Sequence, residues 1–324
     1  MIFINILIII LGMFFLGVAG NMTVRYASCV AKAYGVTTFF LGFVLLAILA
    51  DIPEMAVAIT SSLNNASEIS AGDLVGAGIA DIALVVGLTL TWCGTIVLRD
   101  RERYKLLIML SIACIFMSLI LWFGALSPIW GVVLMGVYII SLAVVWLFRK
   151  RGDVTTQDIS EITHECSYCN GENKLSKLKL VLFLIISLSF VMLSSYLTVN
   201  RAVAIAQRFA ISFEVIGATI FAIGTTLPEL TLSLSSIPKR AYSLAIGVTL
   251  GTVLEQVTFI AGFLTLFSNK PVSFVNLRGT GLFFLAANFL IMIGLAKKEL
   301  LGRALGICLL ALFVIYLVYQ AGIG

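Results

Sequence analysis

Charge is what this chain has least of. Asp, Glu, Lys and Arg make up 11% of its 324 residues, 61% are hydrophobic, and the mean hydropathy is +1.12. That much apolar surface excludes a water-soluble globular domain of this length. The net charge of +5 sits in loops and does not suggest nucleic-acid binding. The first apolar run lacks a basic segment before it and a small-residue cleavage site after it, so it reads as a helix, not a signal peptide. Cysteine gives no disulfide framework. Of six, Cys29, Cys93, Cys114 and Cys308 lie in or beside apolar runs, where a small buried hydrophobe is the usual role. Histidine is reduced to His164, which stands with Cys166 and Cys169 in HECSYC. That is three ligands where a closed structural zinc site wants four, so a reduced, flexible loop competes with a regulatory metal or redox site.

Long apolar runs are what the chain does have. A spanning helix needs about 20 mostly apolar residues. Ten such runs lie near 3–20, 38–62, 73–98, 105–123, 129–148, 177–198, 213–237, 243–267, 275–295 and 304–321. The expected fold is an all-α polytopic membrane protein of about ten transmembrane helices, with membrane lipid as its surroundings. Seventeen of the 21 Lys and Arg fall on one set of loops, and only Arg201, Arg208, Lys270 and Arg278 on the other. The positive-inside rule then puts both termini outside, in the plasma membrane.

Shifted by 175 residues, the chain partly matches itself. Thr23-Val24 meets Thr198-Val199, Gly42 meets Gly217, and Ala47-Ile48 meets Ala222-Ile223. Pro53-Glu54 meets Pro228-Glu229, and Ser61, Gly72, Gly76 and Gly87 meet Ser236, Gly247, Gly251 and Gly262. Each half holds five helices, an odd number, so the second half enters from the opposite side. That is an inverted repeat, a plan common among secondary transporters. The expected divisions are 1–148 and 177–324 for the repeats and 149–176 for a cytoplasmic linker.

Nothing basic at membrane depth is available to pair with six acids in or beside the apolar runs: Asp51, Glu54, Asp73, Asp81, Glu229 and Glu255. One charge at a helix centre costs roughly 2.5–3.5 kcal/mol even on the lenient scale. The cluster must therefore be protonated or neutralised by bound cations. Pro53 and Pro228 have no N–H to give the carbonyls of Leu49 and Gly224. Free carbonyls beside carboxylates suit a hard cation, and Ca²⁺ takes 6–8 oxygens in irregular geometry. Thr225, Thr226, Thr252 and Gln256 offer neutral oxygens, and Asp51 and Glu54, three apart, share a helix face.

Plainer readings stand beside this one. A lone membrane proline is usually only a kink, but Pro-Glu recurs at equivalent places in both halves. Gly72/Gly76 and Gly247/Gly251 fit close helix packing. Asp73 fits a cap at the start of the third helix near the outer surface, against a role at the ion entrance. Glu255 fits a polar gap away from the site.

These residues resemble the calcium/cation antiporter superfamily, the Na⁺/Ca²⁺ exchanger group in particular, over nearly the whole chain. AIGTTLPEL at 222–230 matches the family's G-T/S-S-x-P-E motif. AILADIPEM keeps Pro53 and Glu54 but has Leu49 for the glycine and Asp51 for the small hydroxyl residue. GDLVGAGIAD and GVTLGTVLEQ match the second motif more loosely, with Asp81 and Gln256 at polar ligand positions. The resemblance implies four core helices around a midplane site, with the first and sixth helices sliding past them. It implies Glu54 and Glu229 as central Ca²⁺ ligands flanked by Asp81 and Gln256. The Leu49 and Gly224 carbonyls and the Thr225 and Thr226 hydroxyls complete the cation sites, with Asp51 and Glu255 as added acids. Asp51 leaves one surplus negative charge, a candidate for proton sensitivity.

The expected function is a secondary antiporter, not an enzyme, exchanging Ca²⁺ for Na⁺ by alternating access. It needs no cofactor, because the ions are cargo. H⁺-coupled exchange of Ca²⁺ or another cation is the alternative. A channel uses similar carboxylates, although broken inverted repeats favour a transporter. An intramembrane protease lacks its G-x-G-D motif here. A metal sensor that does not transport rests only on the loop thiols.

Overall fold

The computed structural model describes residues 2–33, 51–96, 98, 100–147, 176–236, 242–268, 270–297 and 301–323. Leu49, most of the linker, and His164, Cys166 and Cys169 lie outside the described residues. Every long element is a helix. In chain order they are α1 (Ile2–Ala33), α2 (Ile52–Leu63), α3 (Ser67–Cys93), α4 (Asp100–Phe123), α5 (Pro128–Leu147) and α6 (Lys177–Phe209). Next, α7 runs from Phe213–Ile216 through a π-turn at Gly217–Phe221 and Ala222–Thr225 to Leu227–Ser236. Then α8 comprises Tyr242–Glu255, a π-turn at Gln256–Ile260 and Ala261–Phe267, followed by α9 (Arg278–Ala296) and α10 (Arg303–Ile323). Eight described helices are long and apolar enough to cross a bilayer, and Ile52–Leu63 and Pro128–Ser141 are shorter apolar helices, in keeping with about ten spans.

Burial separates two groups of helices. The window from α3 is 83% buried and that from α8 72%, against 28% for α6 and 28% for α10. A helix apolar all round is either a core element or lipid-facing. Here α3 and α8 form the core, and the long antiparallel pair α1 and α6 lies outside it. At 32 and 33 residues, α1 and α6 are each about 50 Å long, more than a bilayer core of about 30 Å requires.

The inverted repeat is visible in the loops. Gly124, at φ +72°, ends α4 and leads into β1 (Ala125–Leu126), which pairs antiparallel with β2 (Val272–Ser273) before α9. Across the molecule Gly94, at φ +79°, ends α3, and the Ile96 amide donates to the Leu301 carbonyl at 2.9 Å. Positions 96 and 301 lie 175 from 271 and 126. A related loop contact, shifted by one residue, thus occurs at both places, and Pro271, having no N–H, could not make the bond that Ile96 makes.

Two sequence expectations change. Asp73 is not a cap: Ala66 occupies that position, and Asp73 is fully buried beyond the first turn of α3. Gly72 and Gly76 are tight crossings, since a methyl on Gly72 would lie 2.9 Å from the Ala218 nitrogen. Among the described residues Gly247 meets nothing within 4 Å and Gly251 only the tip of Met109. Cys29, expected as a small apolar filler, is buried and disulfide-bonded, while Cys93, Cys114 and Cys308 are free.

Candidate cation site

The site forms where helices are broken. Pro53 stands in the first turn of α2, and Asp51, at its N-cap, makes no side-chain capping bond. In α7 the helix is interrupted at Thr226, and Pro228 deprives the Gly224 carbonyl of its helical partner. The α3 and α8 rods loosen into π-turns at Ala80–Val86 and Gln256–Ile260, which include Asp81 and Gln256. Such π-segments are frequent at functional sites.

All six acids are buried, from 0% exposed for Asp51, Asp73 and Asp81 to 3% for Glu229. Of their twelve carboxylate oxygens, nine have no hydrogen-bond partner: both on Asp51, Glu54 and Glu229, and one each on Asp73, Asp81 and Glu255. The three partnered oxygens take bonds from neutral groups. The Thr225 hydroxyl donates to Asp73 at 3.0 Å, and the Tyr138 hydroxyl donates to Glu255 at 2.9 Å. Asp81 Oδ2 accepts from Gln256 Nε2 at 2.9 Å and from the Thr252 hydroxyl at 3.2 Å.

The acids form one electrostatic group. Glu54 lies within electrostatic reach of Glu229, Asp73 and Asp81. Asp81 and Glu255 bear on Glu229. Asp51 is influenced by Glu255, Glu54, Glu229 and Asp81. Buried polar groups are nearly always satisfied, and an orphaned carboxylate is costlier than a neutral group. Nine orphaned oxygens in one region are an electrostatic debt that bound cations or protons can discharge. Among the described residues no three His, Cys, Asp or Glu side chains make a metal cage by themselves. Carbonyl and hydroxyl oxygens would have to complete any coordination sphere.

Helix α1 covers the break points. A methyl on Gly20 would lie 2.8 Å from Pro53 and 3.8 Å from Pro228, so this one glycine sits over both prolines. Gly17 rests on Leu227, and Met13 covers Gly224. Of the predicted residues, Glu54, Glu229, Asp51, Asp81, Gln256 and Glu255 come together in the core. The hydroxyls of Thr225 and Thr226 are engaged, with Asp73 and Phe221 for the first and with the Ala222 and Ile223 carbonyls for the second. The sequence reading missed Tyr138, whose signal is slight: one phenol hydroxyl on a helix whose other residues are apolar apart from Ser141.

The sequence pattern described as sodium/calcium exchanger protein matches residues 4–147 and again 179–322. The chain belongs to the sodium/calcium exchanger family. This exchanger is 29% identical over 306 residues to an uncharacterized membrane protein of Methanocaldococcus jannaschii, covering 94% of each chain. It is 27% identical over 348 residues to the sodium/calcium exchanger MaX1 of Methanosarcina acetivorans, covering 98% of this chain and 99% of that one. A solved structure of the sodium-calcium exchanger NCX_Mj, soaked with Na⁺ and Sr²⁺, aligns with a TM-score of 0.61 at 26% identity, over 98% of this chain and 99% of that chain. The exchanger is therefore an integral membrane cation/Ca²⁺ antiporter with inorganic ions as substrates, and not an enzyme.

Proposed function

We propose that this antiporter exchanges Ca²⁺ for Na⁺ by alternating access, with Glu54 and Glu229 as the central ligands. The observation that carries this is the Glu54–Glu229 pair itself. The two acids are repeat counterparts, both buried, each beside a helix-breaking proline, and none of their four oxygens has a partner. Asp81 and Gln256 flank them. The Leu49 and Gly224 carbonyls and the Thr225 and Thr226 hydroxyls supply neutral oxygens, with Asp51 and Glu255 as further acidic ligands. Two carboxylates balance one Ca²⁺, and the surrounding neutral oxygens raise the coordination number towards its usual 6–8.

Coupling follows from the charge. Sliding α1 across empty, ionised carboxylates would seal uncompensated charge in the membrane, at roughly 2.5–3.5 kcal/mol or more per group. Loaded with cations, the same site is near neutral and can turn over. An empty carrier is held and a loaded one released, which enforces exchange. The repeats at 1–148 and 177–324, the linker at 149–176, and the placement of both termini outside the plasma membrane belong to the same reading. Seventeen of 21 basic residues on one set of loops support that orientation.

Proton coupling is the second reading, favoured by the surplus acids: Asp51 replaces a hydroxyl residue of the family motif, and Asp73 and Glu255 add two more. Radioactive Ca²⁺ uptake into proteoliposomes separates the two. An outward Na⁺ gradient should drive uptake, and Glu229→Gln should abolish it. Uptake driven only by an outward H⁺ gradient would replace Na⁺ by protons. Uptake with neither gradient would refute both.

A further inference from the structure

Helices α4 and α9 are clamped at both ends by the same device. Arg103, near the start of α4, donates to the Leu295 and Ala296 carbonyls that end α9. Arg278, the first residue of α9, donates from Nε to the Leu121 carbonyl near the end of α4 at 3.2 Å. Positions 103 and 278 are repeat counterparts, 175 residues apart. The two clamps differ in charge. Arg103 is buried and paired with Asp100 at 2.9 Å. The counterpart of Asp100 is Val275. Arg278 is exposed, and among the described residues no carboxylate meets it and its terminal nitrogens make no hydrogen bond.

Between the clamps the two helices part. A groove of about 540 Å³ opens there, with Ser111, Cys114 and Ile115 on one wall and Ala286, Phe289 and Met292 on the other. Ile115 is 58% exposed and Phe289 64%, so the groove faces lipid. It offers no free hydroxyl donor, because Ser111 donates to the Leu107 carbonyl of its own helix at 2.7 Å. The groove and the free guanidinium share one helix face. Arg278, Leu282, Leu285, Phe289 and Met292 follow one another at spacings of four, three, four and three. On α4, Trp122 stands seven residues beyond Ile115 on the same face and is 81% exposed. With 19 residues, α9 is about 28 Å long and matches a bilayer core of about 30 Å. Arg278 and Trp122 therefore sit at the edge of that core, where such residues meet headgroups. Leu285 begins the groove about 10 Å from Arg278 along the axis, within the depth of about 15 Å that one leaflet provides.

We propose that the α4–α9 groove binds one anionic phospholipid, with its phosphate on Arg278 and an acyl chain between Ile115 and Phe289. Charge complementarity selects this occupant. A guanidinium presents a planar fork of donors that matches phosphate oxygens, and here the two terminal nitrogens are free while Nε holds the fork in place. The apolar walls accept the chain and nothing polar. The Arg103 clamp has no such vacancy, since Asp100 and two carbonyls take its donors. A lipid seated this way wedges the opening between the clamps and ties α4 to α9. The proposal stands apart from the exchange reading, because it uses none of the carboxylate cluster.

Native mass spectrometry of the purified full-length protein, titrated with phosphatidylglycerol or phosphatidylcholine of the same acyl chains, tests the site. One basic group near a headgroup favours an anionic lipid by about fivefold, so the wild type should bind phosphatidylglycerol about that much more tightly. Arg278→Gln should remove the preference and leave phosphatidylcholine binding within about twofold. Arg278→Lys, which keeps the charge without the fork, should retain part of it. Ala286→Phe fills the groove and should weaken both lipids by about fivefold or more. A wild type without preference, a preference that survives Arg278→Gln, or binding that survives Ala286→Phe each overturns the proposal. So does a dimer that Ala286→Phe breaks, because a second copy would then occupy the groove. Thermal midpoints separate binding from clamping. Phosphatidylglycerol should raise the midpoint of the wild type more than phosphatidylcholine does, and the difference should vanish in Arg278→Gln. A variant that is less stable yet keeps the full lipid-induced rise would make Arg278 a helix clamp alone and overturn the proposal.

Discussion

Gln256 donates to Asp81 at 2.9 Å, and the two are each other's counterparts in the repeat, 175 residues apart. The inverted halves therefore touch at equivalent positions, one charged and one neutral. If their environments are close to interchangeable, which half carries the charge should matter less than that one does.

The charge-swap variant tests this. Asp81→Asn leaves the Gln256 amide and the Thr252 hydroxyl without their charged acceptor. Hydrogen bonds to a charged group are worth about 1.5–3 kcal/mol, so Ca²⁺ uptake should fall by about ten- to a hundredfold. Combining Asp81→Gln with Gln256→Asp should restore most of it. A double variant no better than the single one would show that the two halves are not equivalent at this position.

Asp51 tests proton sensitivity. Protons compete with cations for a buried carboxylate, so uptake should decline as the medium is acidified. Asp51→Ser restores the small hydroxyl of the family motif and removes one competing group. Its uptake should depend less on pH than that of the wild type, measured across the acidic to neutral range in proteoliposomes. A superimposable profile would exclude Asp51 as the source of that dependence.

Gly20 tests the moving part. Its α-carbon faces Pro53 and Pro228 together, and a methyl there would lie 2.8 Å from Pro53. Overpacking of this kind costs about 1–3 kcal/mol. If α1 slides over the prolines, Gly20→Val should slow Ca²⁺ uptake by about tenfold or more while equilibrium Ca²⁺ binding persists. Parallel loss of binding and transport would instead assign Gly20 to the construction of the site.

Much of this arrangement was legible in the sequence, for a physical reason. A membrane helix tolerates few acids and few prolines, so Pro53-Glu54 and Pro228-Glu229 stand out against an apolar background, and their constant offset reveals the repeat. Partners across helices were less legible. Asp73 near a helix start resembles a cap, and only the depth of α3 against α7 shows that it is buried and bonded to Thr225. Glu255 reads only as facing a polar gap, because Tyr138, 117 residues away, gives no local sign of contact. GxxxG spacing marks a true crossing at Gly72 and Gly76, but spacing alone places glycines on one helix face without saying what meets that face.

Arg103 tests the scaffold apart from the ions. It lies near the start of α4 and is buried, at 8% exposed. Its Nε donates to the Leu295 carbonyl at 2.7 Å, one terminal nitrogen donates to Ala296 at 2.9 Å, and the other pairs with Asp100 at 2.9 Å. Leu295 and Ala296 end α9, where carbonyls lack helical partners and a cation is favoured by the helix dipole. The guanidinium thus joins the start of α4 to the end of α9 with a fork of donors that lysine cannot reproduce. Arg103→Ala should destabilise the purified protein by about 1.5–3 kcal/mol, seen as a lower thermal midpoint, and Arg103→Lys should recover only part of the loss. Because Arg103 belongs to none of the cation-site contacts, Ca²⁺ affinity in the surviving folded fraction should match that of the wild type. A change in affinity without a change in midpoint would instead mean that the α4–α9 junction communicates with the ions.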